Sequence, residues 1–172
     1  RGATGYGSLA SGYNTTASGD YSTAMGSYTT ASGYGSTALG RYNTASGSYS
    51  VTMGRGTTAS DWGSLVIGRY NSSSSSATSA DSFSTSNPAF VIGNGTDFST
   101  LSDAFKVMFN GDTTVSNDLT VSGDVVISSD ARLKSNIVSL GSTLPKLLQI
   151  DGKSYEMKGK QKIGVLAQEI KE

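Results

Sequence analysis

From Ala3 to Ser72 the chain is ten ungapped heptads, and nine of them carry glycine at the third position, from Gly5 and Gly12 through Gly54 and Gly68. Asp61 is the exception. The first position is Ala in eight of ten, with Thr52 and Val66 as the others. A seven-residue period invites a coiled coil, but that fold needs large apolar residues at two positions of each heptad. A recurring Gly instead costs a helix about 1 kcal/mol each time. Short strands and turns fit better. Along Thr37-Ala38-Leu39-Gly40 the side chains alternate between faces, so Thr37 and Leu39 share one and Ala38 and Gly40 the other.

The second heptad position doubles the period to fourteen: Ser18, Met25, Ser32, Leu39, Ser46, Met53, Ser60, Ile67. Two strands and two turns per coil of a β-solenoid give that alternation. Each coil is expected to bury one large apolar residue and to stack on the next at about 4.8 Å. A coil so thin buries little alone, so stacking and association must supply the rest.

The pattern T-A-L-G-x-x-(S/N)-T-A-S-G, held over residues 3–72, resembles the left-handed parallel β-roll of YadA-like trimeric adhesin heads. The resemblance implies a homotrimer, in which small Ala, Ser and Gly faces let three rolls pack closely. The expected fold class is mainly β: a homotrimeric roll, an interwoven β neck and a short α-containing chaperone start. Asp61, followed by Val66-Ile67, marks a modified last coil where the roll is expected to end near residue 72.

Residues 73–127 read as a Ser-rich connection and a neck. Strand-like runs occur at Phe90–Ile92, Ala104–Phe109, Val115, Leu119–Val121 and Val125–Ile127, separated by Gly93-Asn94-Gly95, Asn110-Gly111-Asp112 and Ser122-Gly123-Asp124. So few short strands cannot make a stable monomeric domain, which points to strands shared among three chains. This segment is similar to those that precede the C-terminal chaperone of phage tail fibres and bacterial fibre proteins.

Residues 128–172 shift in charge, with 8 Lys/Arg against 5 Asp/Glu. They contain Ser129-Asp130-Ala131-Arg132-Leu133-Lys134-Ser135-Asn136-Ile137, and later Ile163-Gly164-Val165-Leu166-Ala167-Gln168-Glu169. These motifs resemble the endosialidase-type intramolecular chaperone, an auto-processing domain, of which this chain holds the N-terminal part. The resemblance puts a nucleophile on Ser129, a base on Lys134 and the cut at the Ser129–Asp130 junction. With no His in the chain, Lys is the nitrogen base available to a serine, and it must lose its charge through burial or a cationic neighbour such as Arg132.

Composition removes other classes. There is no Cys and no His, which excludes disulfide frameworks, thiolate metal sites and Ser-His-Asp triads. No metal or cofactor is expected. Thirteen basic and thirteen acidic residues give zero net charge, which argues against a nucleic-acid partner held by phosphate neutralisation. No apolar run reaches the roughly 18 residues of a membrane helix, so no membrane insertion is expected. The chain has neither a starting Met nor a signal-like segment and reads as part of a longer protein. Its expected location is extracellular, on a cell surface or virion fibre.

The turns hold the surface chemistry. Eight of nine Tyr lie there, and Arg41, Arg55 and Arg69 recur every fourteen residues. Stacked about 5 Å apart, these arginines favour an anionic ligand. Tyr42, Tyr70 and Trp62 are candidate platforms for sugars. The expected function is a trimeric fibre or adhesin tip that attaches to a host or prey cell-surface ligand, a glycan or other anionic group. The alternative is a purely structural fibre segment whose only chemistry is self-cleavage. Ice binding, from the Thr16-Ala17-Ser18 type of ladder repeated to Thr58-Ala59-Ser60, is a distant third.

Overall fold

The structure, a computed structural model, describes residues 2–74, 76–122, 153–157 and 160–164. It divides into two units, residues 1–121 and 122–172.

Each coil of the first unit contributes one two-residue strand and one five-residue strand. The short ones are β1 (Gly2–Ala3), β3 (Thr16–Ala17), β5 (Thr30–Ala31), β7 (Thr44–Ala45) and β9 (Thr58–Ala59). The long ones are β2 (Leu9–Tyr13), β4 (Thr23–Ser27), β6 (Thr37–Arg41), β8 (Val51–Arg55) and β10 (Leu65–Arg69). Short strands stack in a five-stranded parallel sheet and long strands in a second sheet, always fourteen residues out of register: Ala24↔Ala38, Gly26↔Gly40, Arg41↔Arg55. This is a β-roll, as the repeat predicts.

The lumen is lined by alanine. Methyl groups of Ala17, Ala31 and Ala45 on the short strands meet Ala24 and Ala38 on the long ones, all fully buried. The expectation that each coil buries one large apolar residue is therefore corrected. Met25 and Met53 point out of the long sheet and stay over 40% exposed. Along the stack, the glycines let successive coils approach closely. A Cβ on Gly33 would lie 2.2 Å from Gly47 O, and one on Gly26 only 2.0 Å from Gly40 O. In the last coils Thr52, Val66 and Val91 replace alanine inside.

The long sheet does not stop at residue 72. After the Ser-rich excursion, β11 (Pro88–Asn94) returns parallel to β10, with Val66↔Val91, Ile67↔Ile92 and Gly68↔Gly93 in register. Strands β12 (Asp103–Met108) and β13 (Thr113–Val115) then add antiparallel, completing an eight-stranded sheet. The neck strands thus extend this chain's own roll. Val91-Ile92-Gly93 repeats Val66-Ile67-Gly68, which gives β11 the same pleat and the same close approach as a sixth coil. Leu119–Val121, expected as a strand, forms none; Leu119 is exposed, with no sheet edge or core to hold it. Val125–Ile127 lies outside the described residues.

Asp61 explains its own departure from glycine. Following coils bring a carbonyl against Gly19, Gly33 and Gly47, but the chain after β10 swings away into the excursion. In the space left, Asp61 Oδ1 accepts hydrogen bonds from Thr78 N (2.6 Å) and Ser79 N (3.0 Å), and the side chain is buried. Ser48 N donates to Ala80 O and Trp62 N to Ser79 O, so the excursion is stitched over the end of the short sheet.

In the second unit the described residues form one antiparallel hairpin, β14 (Lys153–Met157) with β15 (Lys160–Gly164). The helix expected around Ala167-Gln168-Glu169 lies outside the described residues.

Candidate functional site

The two turn edges of the roll gather its aromatic and cationic side chains, and the candidate residues divide between them. On one edge, β6, β8 and β10 each end in arginine, so Arg41, Arg55 and Arg69 occupy one register column. Arg41 Cζ lies 4.8 Å from the Tyr42 ring centroid, and Arg55 and Arg69 lie 5.8 and 5.7 Å from that of Tyr70. Arg69 Nη2 also donates to Thr96 O at 3.1 Å. Arg41 and Arg55 remain exposed. The aromatic run of this edge is Tyr13, Tyr28, Tyr42, Phe98 and Tyr70, with centroids 4.9–6.0 Å apart.

Two of the six candidate ligand residues do not fit that edge as expected. Tyr70 is only 3% exposed, covered by Phe98 and the two arginines, so its ring is a support rather than a platform. Trp62 belongs to the opposite edge, where it packs on Tyr49, Phe83 and Phe109. Its position in the fourteen-residue repeat, half a coil from Arg55 and Arg69, requires this.

That second edge carries a separate ladder: Tyr6, Tyr21, Tyr34, Tyr49 and Trp62, with ring centroids 5.4–5.8 Å apart. The rings meet edge to face, at interplanar angles of 71–88°. Alternation in the turn causes this. Tyr-Gly in one coil (Tyr6-Gly7, Tyr34-Gly35) is followed by X-Tyr in the next (Asp20-Tyr21, Ser48-Tyr49). Each glycine clears the next ring: a Cβ on Gly7 would come 3.1 Å from Tyr21, and one on Gly35 3.1 Å from Tyr49. Desolvation, and then the like charge of Tyr49, Tyr21 and Asp20, holds the Tyr34 hydroxyl above the usual phenol pKa. It stays a neutral hydrogen-bond donor past the ordinary tyrosine range.

Two protein families match the sequence. The YadA head domain repeat matches twice, over residues 3–29 and 31–57, and the chaperone of endosialidase matches residues 129–172. The chain thus carries a segment similar to YadA head repeats followed by one similar to the chaperone of endosialidase. No curated protein and no solved structure matches it. The register of β8 on β10 and of β10 on β11 carries the YadA-type roll beyond the second matched repeat, to residue 94. Both families imply a homotrimer. The outer face of the long sheet in the YadA-type roll is the uncovered apolar one, presenting Leu9, Met25, Met53 and Leu65 at 36–52% exposure. The Thr16 to Thr58 column on the short sheet is only half exposed, and Ser46 Oγ donates to Ser60 Oγ at 3.2 Å. Ser129, Asp130 and Lys134, in the chaperone segment, lie outside the described residues. Among the described residues no helix is long and apolar enough to cross a membrane.

Proposed function

We propose that this chain forms the tip of a homotrimeric, surface-displayed fibre, whose turn edges attach it to a ligand and whose C-terminal segment drives assembly. The observation that carries the reading is the exposed apolar face of the long sheet. A roll whose first coils bury alanine alone among apolar side chains gains little from its interior, while Met25, Met53 and Leu65 line a continuous sheet outside it. Such a face on a soluble protein marks an association surface. Sedimentation equilibrium tests it: a mass of three chains is expected, and Met25→Lys with Met53→Lys should shift it to one. A well-folded single chain at working concentration in the wild type overturns the proposal.

For attachment, the Arg41, Arg55 and Arg69 column with Tyr42 is the candidate surface for an anionic group on a cell-surface glycan. Three guanidinium groups one rung apart repel, and a sulfate or carboxylate relieves that repulsion with charge-assisted hydrogen bonds. A glycan array with Arg55→Ala as control tests this. An unchanged profile removes the column from the mechanism.

For maturation, Ser129 is the nucleophile and Lys134 the base. The Ser129 hydroxyl of one chain gives its proton to Lys134 and adds to the Ser129 carbonyl carbon of a neighbouring chain. The C–N bond to Asp130 breaks as Lys134 protonates the leaving amine, and water hydrolyses the resulting ester. The chaperone match begins at residue 129, at the proposed junction, which supports that assignment. A lysine competent for this must be desolvated, which trimer assembly provides by closing the segment against its neighbours. Mass spectrometry of the full-length protein should find a smaller fragment in the wild type that Ser129→Ala lacks. Identical masses overturn the cut.

A further inference from the structure

The Tyr6–Tyr21–Tyr34–Tyr49–Trp62 ladder differs from the arginine edge in lacking cations and in its even spacing. Tyr6, Tyr21, Tyr34 and Tyr49 are 46–73% exposed, and Trp62 is half-buried. The turns between them are built from Gly, Ser and Thr. Asp20 and Asp81, which accepts from Ser48 Oγ at 3.1 Å, are the exposed carboxylates beside the rings, while Asp61 is buried against the excursion.

Turn geometry does not call for these rings. Tyr21 and Tyr49 sit at φ 57° and 59°, the left-handed region where a bulky side chain is disfavoured. Gly7, Gly35 and Gly63 occupy the same turn position in alternate coils at φ 60–65°. Glycine thus satisfies this turn without strain, and tyrosine is held there despite it. The arginine edge does the same at Tyr28, Tyr42 and Tyr70, so both edges keep strained tyrosines where glycine fits, and exposure is what sets this ladder apart from the buried Tyr70. The ladder is also prolonged by residues from outside the repeat. Phe83 from the excursion and Phe109 after β12 both pack on Trp62, and Phe109 lies over Gly63 where a sixth coil would set its tyrosine.

A partner for this edge must itself be one-dimensional, uncharged and periodic. Four coil steps at the strand spacing span about 19 Å along the roll, and because neighbouring rings meet near perpendicular, rings of like orientation recur every second coil, about 10 Å apart. A disaccharide of an extended, equatorially linked polysaccharide advances by about the same step, and its C–H face is the surface that stacks on an aromatic ring. Edge-to-face contacts fix the rings before any ligand arrives, which lowers the ordering cost of binding. Phenol hydroxyls and turn serines supply donors and acceptors for sugar hydroxyls. A protein partner has no reason to repeat at this interval. We infer that the Tyr6 to Trp62 edge is a binding track for a linear, uncharged polysaccharide lying along the axis of the roll.

The inference stands apart from the arginine column, and the experiment separates them. Trp62 is the only tryptophan in the chain, so its emission reports directly on the track. The assembled full-length chain is titrated with cellohexaose, chitohexaose and mannohexaose, and retention is measured on cellulose, chitin and mannan. A saturable change in Trp62 emission is expected with at least one oligosaccharide, insensitive to salt, and unaltered by Arg55→Ala. Tyr21→Gly with Tyr49→Gly removes two rings while leaving the residue that other coils already use, and should weaken binding tenfold or more with unchanged circular dichroism. Tyr34→Phe, which keeps the ring, should weaken it no more than a few-fold. The inference falls if none of the three sugars changes Trp62 emission, or if the double glycine variant binds like the wild type. It falls equally if binding is lost in salt. Should the double variant sediment as a single chain, the ladder is a contact between chains and the inference is overturned.

Discussion

The two ends of the roll close the same kind of coil in different ways. In the first coils the lumen is alanine against alanine, and successive backbones approach until a Cβ has no room. In the last coils Val66 and Val91 stand inside in place of alanine, Asp61 replaces the glycine, and Trp62, Phe83 and Phe109 cluster together. The uniform end is constrained by backbone contact, the irregular end by side-chain packing. A repeat is strict only where the next copy presses on it. Where the chain leaves the stack, larger residues become possible and then necessary, because the final rung has no neighbour to cover it.

That contrast can be broken most directly with Gly33→Ala. The new Cβ meets Gly47 O, a backbone atom that no rotamer change can move. The loss should exceed the usual cost of overpacking, reaching about 3 kcal/mol or more, read as a fall in the thermal midpoint by circular dichroism. Asp61→Gly meets no such clash and loses only the acceptor for Thr78 N and Ser79 N, so it should cost less, about 1–2 kcal/mol. If the two variants melt alike, the contrast between the ends is wrong.

Next in size is Val91→Ala, which opens a cavity beside Val66 and should cost about 2 kcal/mol in chemical denaturation. Ala38→Val, the reverse change in the alanine lumen, should destabilise as well, since that lumen lacks space for added methyls. A neutral Ala38→Val would mean the first coils are looser than their glycines imply.

Asp61→Ala removes the acceptor for Thr78 N and Ser79 N and should cost about 1–2 kcal/mol. Limited proteolysis should then cut first between residues 76 and 86. Cleavage elsewhere at the same rate would show that the excursion is held by Ser48 and Trp62 instead.

The smallest effect concerns the turn at Asp97. The backbone N–H of Ser99, then that of Thr100 and the Thr96 and Thr100 hydroxyls, hold its carboxyl below the usual range, against partial desolvation. A lowered folded pKa means this support is complete above the ordinary carboxylate range and is lost as pH falls through the depressed value. Amide exchange at Ser99 and Thr100 should quicken only below about pH 4. No change in exchange there would remove the role assigned to Asp97.

Much of the roll was legible because glycine and alanine recur at fixed positions and the spacing names both strands and turns. The sixth rung was harder to read. Val91 follows Val66 by 25 residues, so the excursion hides a copy of the motif from any fixed-period comparison. The two faces were separated along Thr37–Gly40, but the large apolar face was taken for the interior, and the structure buries the alanine face instead. The arginine column followed from period alone. Grouping Trp62 with it did not, because an aromatic ring was weighed by its chemistry and not by its phase in the repeat. The Ser129 and Lys134 assignment rests on the chaperone motif, and both residues lie outside the described residues.

The alternation of Tyr-Gly with X-Tyr turns gives the molecule a unit longer than its coil. Adding or deleting one fourteen-residue turn would set ring beside ring in the same phase and glycine beside glycine, leaving a gap in the column and a crowded pair next to it. Twenty-eight residues can be gained or lost without that penalty. A lineage of such fibres should therefore lengthen and shorten in even numbers of coils, and any designed extension should be cut to the same measure.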